Sequence, residues 1–170
     1  MTVFIRDATA GDGPALSLIL NRIIAAGGST AHLTPFDPAR MYRHYIAPPR
    51  GISCLVACEK DSLLGFQALE RCDPNWPGEE PLPADWAVIA SFVAVAQQGR
   101  GIGHALFKET RARASAAGIP TIDATIRADN SSGVRFYDSL GFGDYAVLKA
   151  VPLSDGTPVD RIRKRYDLPG

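Results

Sequence analysis

Residues 87–117 read AVIASFVAVAQQGRGIGHALFKETRARASAA. Ala87 to Val95 is an apolar run of strand length, and Ile102 to Ala117 has helical spacing. On that helix Ile102, Ala105 and Leu106 face inward, and Lys108, Glu109, Arg111 and Arg113 face mostly outward. Between the two lies Gln98-Gly99-Arg100-Gly101-Ile102-Gly103. Glycines without Cβ let a ligand approach the main chain closely. The first amides of a helix have no intrahelical partner, and the helix dipole adds partial positive charge there. A strand, a glycine turn and a helix N-terminus in that order make a site for a phosphate or pyrophosphate. The strand is apolar on both alternations, which predicts a central strand covered on both faces.

Three phosphate motifs compete for this turn. A P-loop requires Lys-Ser/Thr after its last glycine, but His104 and Ala105 follow here. A dinucleotide fingerprint requires a glycine three places after its second one, and that place holds His104 or Leu106. The third pattern, Gln/Arg-x-x-Gly-x-Gly/Ala, is matched by Gln98, Gly101 and Gly103.

Working outward, Gly118-Ile119-Pro120 ends the helix and Thr121 to Arg127 forms the next strand. A strand–helix–strand unit of this length implies a right-handed parallel crossover. Asn130-Ser131-Ser132 caps a further helix with Val134, Tyr137 and Leu140 at helical spacing and Gly141 as its stop. Phe142 to Val151 and Val159 to Asp167 form a hairpin around Asp155-Gly156. Upstream, Thr2 to Arg6 is a short strand. Asp12-Gly13-Pro14 starts a helix carrying Leu16, Ile19, Leu20, Ile23 and Ile24 on one face, and Gly27-Gly28 stops it. Asp37-Pro38 starts a second helix that runs to about Ile46. Ile52 to Glu59 and Leu63 to Arg71 are strands joined by a polar turn, and Cys72 to Pro83 is a stiff, proline-rich loop carrying Trp76.

The chain has 170 residues, which predicts one domain over 1–170. Its 46% apolar and 21% charged residues predict a globular chain, and zero formal net charge argues against nucleic acid as a partner. Cys54, Cys58 and Cys72 have no metal spacing, and their odd number argues against a disulfide framework. No metal is expected. Met1 to Asp7 lacks an apolar leader, and no run reaches the length of a membrane span. A cytoplasmic protein without membrane contact is the expectation.

Asn130 to Phe142 reads NSSGVRFYDSLGF. With the Gln98–Gly103 turn, in this order and on these elements, the chain resembles the GNAT acetyltransferase family over essentially its whole length. The resemblance implies an α/β fold with a mixed central sheet of about seven strands and about four helices on both faces. It implies acetyl-CoA as co-substrate, with its pyrophosphate on Gln98, Gly99, Arg100, Gly101, Ile102 and Gly103. Asn130, Arg135 and Phe136 are further contacts, and Lys108 is a further candidate for the phosphates. The strand before the turn should splay from its parallel neighbour, with Val95 binding the pantetheine arm and the Val93 amide facing the acetyl oxygen.

Acyl transfer from a thioester to an amine has three needs: an amine without its extra proton, a stabilised oxyanion and a proton for the departing thiolate. A tyrosine is a protonated donor at neutral pH. Tyr137, in the middle of its helix, is the candidate general acid. Many family members carry a glutamate base on the central strand, and here that strand has no acidic residue. Asp85, just before it, is the nearest carboxylate and the candidate base, with Glu70, His32 and a water chain as alternatives, or with no base and an amine that arrives already neutral.

Phe36, Trp76 and Trp86, with Tyr42 and Tyr145, are the candidate lining of the acceptor site. Leu20 to Thr34 faintly resembles the phosphinothricin acetyltransferase branch, which implies a small, amino-acid-like amine as acceptor. Arg40 or Arg43 would pair with its carboxylate. The run Arg161-Ile162-Arg163-Lys164-Arg165 reads as a charged edge strand. It could alternatively meet a second subunit in a homodimer, or the 3′-phosphate of CoA. Other readings are a protein or peptide N-acetyltransferase and an acyl-CoA sensor without turnover.

Overall fold

The computed structural model describes residues 2–78 and 80–170. Met1 and Glu79, the latter within the proline-rich loop, lie outside the described residues. The elements follow the order β1 (Phe4–Asp7), α1 (Gly13–Ala26), α2 (Pro38–Met41), β2 (Gly51–Glu59), β3 (Ser62–Arg71), β4 (Ala87–Val93), α3 (Ile102–Ala116), β5 (Thr121–Arg127), α4 (Ser131–Leu140), β6 (Gly143–Pro152) and β7 (Pro158–Asp167). The strands form one sheet in the order β1-β2-β3-β4-β5-β7-β6. Only β4 and β5 pair in parallel, so the sheet is mixed. The expected α/β architecture is the observed one.

Local chemistry sets the helix ends. The Asp37 carboxylate accepts the Arg40 amide at 2.7 Å and caps α2, whose last turn continues as a π-turn over Tyr42–Ile46. Gly27 and Gly141, both with positive φ, close α1 and α4. Asp12 is buried before α1, where it accepts both Arg6 Nη atoms and the Thr9 amide.

The period of two along β2 divides the core. Cys54, Val56 and Cys58 pack with Leu16, Leu20 and Met41 of α1 and α2. Leu55 and Ala57 face the other way, onto Ile102 and Leu106 of α3. Farther along the sheet, Leu69, Ile89, Ile122 and Ala124 pack under Phe107 of α3 and Tyr137 of α4. All three cysteines are free and buried.

Two expectations are corrected. β4 is covered on both faces only in part: Ala90 and Phe92 pack against the core under α1, but Val88 opens onto a cavity. The basic run is not an edge strand, because β7 lies between β5 and β6. Inside the sheet its charges sort by alternation. Lys164 is 1% exposed and pairs with Asp138 of α4 and Asp144 of β6.

Burial disfavours the Lys164 ammonium, but the hydrogen bonds to Asp138 and Asp144 outweigh it and hold the group above its ordinary range. Its contribution to stability is therefore full below the ordinary lysine range and is lost as pH rises through its folded-state value. Asp138→Asn with Asp144→Asn leaves that buried charge unpaired and should destabilise by about 3 kcal/mol. Lys164→Met should be neutral or stabilising. Urea unfolding at pH 7 checks both signs, and an equal loss in the two variants would refute this account.

Candidate active site

β4 and β5 pair only at Ala87↔Ile122 and Val88↔Asp123. Beyond that point β4 stays on β3 as far as Val93, and β5 stays on β7 as far as Arg127. A gap opens between them. Amide direction alternates along a strand. The Ala94 amide donates to Leu64 of β3 at 2.8 Å, so the amides and carbonyls of Val93 and Ser91 point into the gap. Backbone groups left without a strand partner seek another one, which a bound extended molecule supplies.

At one end of the gap the glycine turn forms a cleft of about 500 Å³ with Val93, Gln98, Asn130 and Phe136 in its wall. Gly99 and Gly101 have φ of 82° and 77°, and a Cβ on either would meet nothing within 4 Å. Glycine is needed there for backbone conformation, and the space beside it stays open for a ligand. The amides that open α3 face this space, as a phosphate requires. Gly103 serves another purpose: a Cβ there would lie 2.5 Å from Phe136 Cε1, so α3 and α4 meet through that bare position. Gln98 Nε2 donates to the Val93 carbonyl at 3.3 Å and ties the turn to the end of β4.

Other expected contacts lie apart from this cleft. Arg100 is held by Glu59 of β2 at 2.8 Å and by Gln97. Val95, Lys108 and Arg135 are exposed and stand outside the lining. Asn130 caps α4 by accepting the Gly133 amide at 3.1 Å, and its Nδ2 donates to the Ser29 carbonyl at 3.2 Å. It thereby joins α4 to the segment after α1.

Midway along the gap is a smaller cavity of about 230 Å³. Tyr137, only 7% exposed, donates its hydroxyl to Ser91 Oγ at 3.0 Å. Gln67 Nε2 donates to the same oxygen at 2.8 Å. Burial pushes the Tyr137 hydroxyl up to about 12, offset in part by the Ser91 bond. Ser91 and Gln67 escaped the sequence reading because their role depends on strand register. Tyr45 lines the same cavity and meets His32 Nε2 at 2.6 Å. Burial pushes His32 down to about 4, so it is a neutral imidazole near pH 7.

Past Thr125 and Arg161 the gap meets a third cavity of about 530 Å³, over the part of β4, β5 and β7 that carries Val88, Thr125 and Arg163. Glu70, Asp123 and Arg163 lie in its floor and Trp76 in its roof. Burial raises Glu70 above the ordinary carboxylate range, against the opposing effect of Arg50. Asp123 is 1% exposed and accepts the Tyr145 hydroxyl at 2.5 Å and Thr125 Oγ1 at 2.7 Å. Its pKa is also raised by burial, and those two donors work against the rise.

Of the candidate acceptor residues, the structure brings Trp76 to this cavity. Phe36 is core, stacked on Tyr45 with the Arg40 guanidinium 3.7 Å from its ring centroid. Trp86 packs between Tyr145 and Arg165, outside the lining. Arg40 donates to the Thr34 and Pro35 carbonyls, and Arg43 is exposed. Asp85 lies in an exposed turn and lines none of the three cavities. The register sets Glu70, not Asp85, opposite Val88 where the strands part.

Among the described residues no group of three or more His, Cys, Asp or Glu is placed to hold a metal ion. No helix among them is long and apolar enough to cross a membrane. A family model described as Acetyltransferase (GNAT) family matches residues 24–142. Mycothiol acetyltransferase of Mycobacteroides abscessus is 31% identical over 110 residues, 64% of this chain and 34% of that protein. The matched stretch thus spans about a third of that curated relative. An N-acetyltransferase structure from Staphylococcus aureus Mu50 aligns with TM-score 0.82 at 22% identity, covering 99% of this chain and 100% of that one. A phosphinothricin acetyltransferase from Sinorhizobium meliloti, in complex with acetyl-CoA, aligns with TM-score 0.78 at 23% identity, covering 99% and 89%. At these identities the two structures speak to the fold.

Gly103→Ala should destabilise by about 1–3 kcal/mol through overpacking against Phe136. Adding Phe136→Leu should recover part of the loss. Gly101→Ala should lose about 1–2 kcal/mol through its left-handed backbone, with no recovery from Phe136→Leu. A double-mutant cycle in urea separates the two causes. Equal recovery in both backgrounds would contradict the assignment.

Proposed function

The chain belongs to the acetyltransferase (GNAT) family, and we propose that it transfers the acetyl group of acetyl-CoA to the primary amine of a small amino-acid-like molecule by direct attack in a ternary complex. One observation carries the reading: Tyr137 is buried at the middle of a gap that has a glycine turn at one end and a charged cavity at the other. The relatives named for phosphinothricin and for mycothiol support a small acceptor.

The chain's own residues divide the work. The amides around Gly99 and Gly101 and the start of α3 hold the pyrophosphate. The gap-facing amides of Ser91 and Val93 hold the pantetheine arm, and the Val93 amide serves as donor to the acetyl oxygen. Acetyl-CoA, when bound, supplies an activated thioester carbonyl. Glu70 takes the proton of the amine. Its environment suits the task, because a carboxylate raised by burial is a stronger base, whereas Asp123 is engaged by Tyr145 and Thr125. Tyr137 keeps its proton through the neutral range and gives it to the departing thiolate, with Ser91 fixing its hydroxyl.

Tyr137→Phe should lower kcat by about 100-fold and leave the acetyl-CoA Kd within about twofold. Thiol release and calorimetry measure the two, and unchanged turnover would remove Tyr137 from the mechanism. In the wild type, kcat/KM should rise with pH through a value above the ordinary carboxylate range as Glu70 ionises. Tyr137 should add no alkaline loss below about pH 11, since its hydroxyl is pushed up to about 12. In Glu70→Gln that limb should move up to the acceptor's own pKa, because only amine that arrives neutral can then react. A wild-type limb already at the acceptor's own pKa would mean that no enzymic base acts.

A further inference from the structure

The third cavity contains arginines that no ion pair holds. Arg161 and Arg163 alternate on the face of β7 that floors it, with Arg163 opposite Thr125 of β5. Arg163 is 7% exposed. The Nε atoms of both arginines are buried without a hydrogen-bond partner. Among the described residues, neither takes part in any ion pair. The other arginines of this cavity are committed: Arg50 donates to the Cys72 carbonyl at 2.8 Å and Arg71 to the Ala117 carbonyl at 2.9 Å. A guanidinium taken out of water without a carboxylate is unfavourable unless an anion joins it. Its planar fork of N–H donors matches a carboxylate in two-pronged fashion.

The placement also sets a distance. Arg161 lines both the third cavity and the middle one, where Tyr137 and Ser91 stand. An anion held by Arg161 and Arg163 therefore sits a short reach from the reacting position. Glu70 and Asp123 share that floor, and their negative charge suits an ammonium group beside the anion. The cavity is charge-paired in the manner of a zwitterion rather than of a simple amine.

We propose that Arg163, assisted by Arg161, holds the carboxylate of the acceptor, and that the acceptor is an α-amino acid or a close analogue with its amine turned toward Tyr137. This rests on the acetyltransferase reading and deepens it. Arg40 and Arg43 are excluded from the role by their positions outside the cavity.

The test pairs amino acids with their own amides and their decarboxylated amines, each assayed for thiol release from acetyl-CoA with the wild type, Arg163→Met and Arg161→Gln. The wild type should favour the free acid over its amide by roughly 100-fold in kcat/KM, with the difference in KM. In Arg163→Met the ratio should fall to within about threefold, and in Arg161→Gln to an intermediate value. Because an unpaired buried charge is removed, Arg163→Met should melt no lower than the wild type. Equal use of acid and amide by the wild type, a ratio retained in Arg163→Met, or a collapse of that variant's fold would each overturn the anchor while leaving amine acetylation standing. If no amine is acetylated, the same pairs are compared by thermal shift with acetyl-CoA present. A rise with acids alone, abolished by Arg163→Met, supports the anchor and counts against the catalytic reading. No rise overturns both.

Discussion

The parting of β4 from β5 after Val88 and Asp123 is the constraint on which the rest depends. Parallel strands normally continue to pair until one of them ends. Here each has a stronger commitment elsewhere, β4 to β3 over seven residue pairs and β5 to β7 over seven. The two halves of the sheet diverge, and the inner edges of both strands lose their partners. α3 and α4 bridge the two halves on one face, burying Ile89, Ile122 and Ala124 beneath Phe107 and Tyr137. The bond from Tyr137 to Ser91 crosses from α4 to the inner edge of β4. Strands that paired to their ends would close the gap and leave Tyr137 as one more core aromatic.

The segments that read correctly from sequence owe their structure to local chemistry. Two glycines between a strand and a helix, Gly99 and Gly101, leave few alternatives, and so does an asparagine cap three residues before Gly133. What stayed hidden depends on strand order and register. The last hairpin returns with β7 inside and β6 outside, so a run of basic residues that resembles an edge strand is interior. Alternation then sends Lys164 toward Asp138 of α4 and Arg163 toward Asp123 of β5. The proposed base is a similar case. Asp85 is adjacent to the central strand in sequence, but Glu70 is adjacent to it in space, opposite Val88. Asp123 could have been noticed, since a carboxylate between Ile122 and Ala124 in an apolar strand implies a partner. Its partner Tyr145 is 22 residues away, and only the fold brings the pair together.

Zero net charge describes the whole chain and conceals how the charges are distributed. At the surface, carboxylates and guanidinium groups pair with each other, as in Arg165 with Asp167 and Arg113 with Asp7. Across the sheet floor they do not. Glu70, Asp123, Arg161 and Arg163 are drawn to one cavity without closing into ion pairs, and burial raises both carboxylates. A protein selected for stability alone would gain by pairing these groups or replacing them with apolar residues. As open charges they are free to meet the acceptor in the proposed reading.

The two ends of the gap work by different means, and the difference bears on how the site can vary. On the proposed reading the glycine end binds through main-chain amides and tolerates side-chain change wherever the backbone conformation survives. On that reading the cavity end binds through side chains at the end of β3, in the proline-rich loop and on β7. Residues 24–142 match the family model, and they contain the glycine turn, Ser91, Tyr137 and Glu70. Arg161 and Arg163 lie beyond them, on a strand whose backbone pairing with β5 is indifferent to which side chains it carries. If the proposed anchor holds the acceptor, its preference can shift by substitution on one face of β7 while the rest of the gap stays intact.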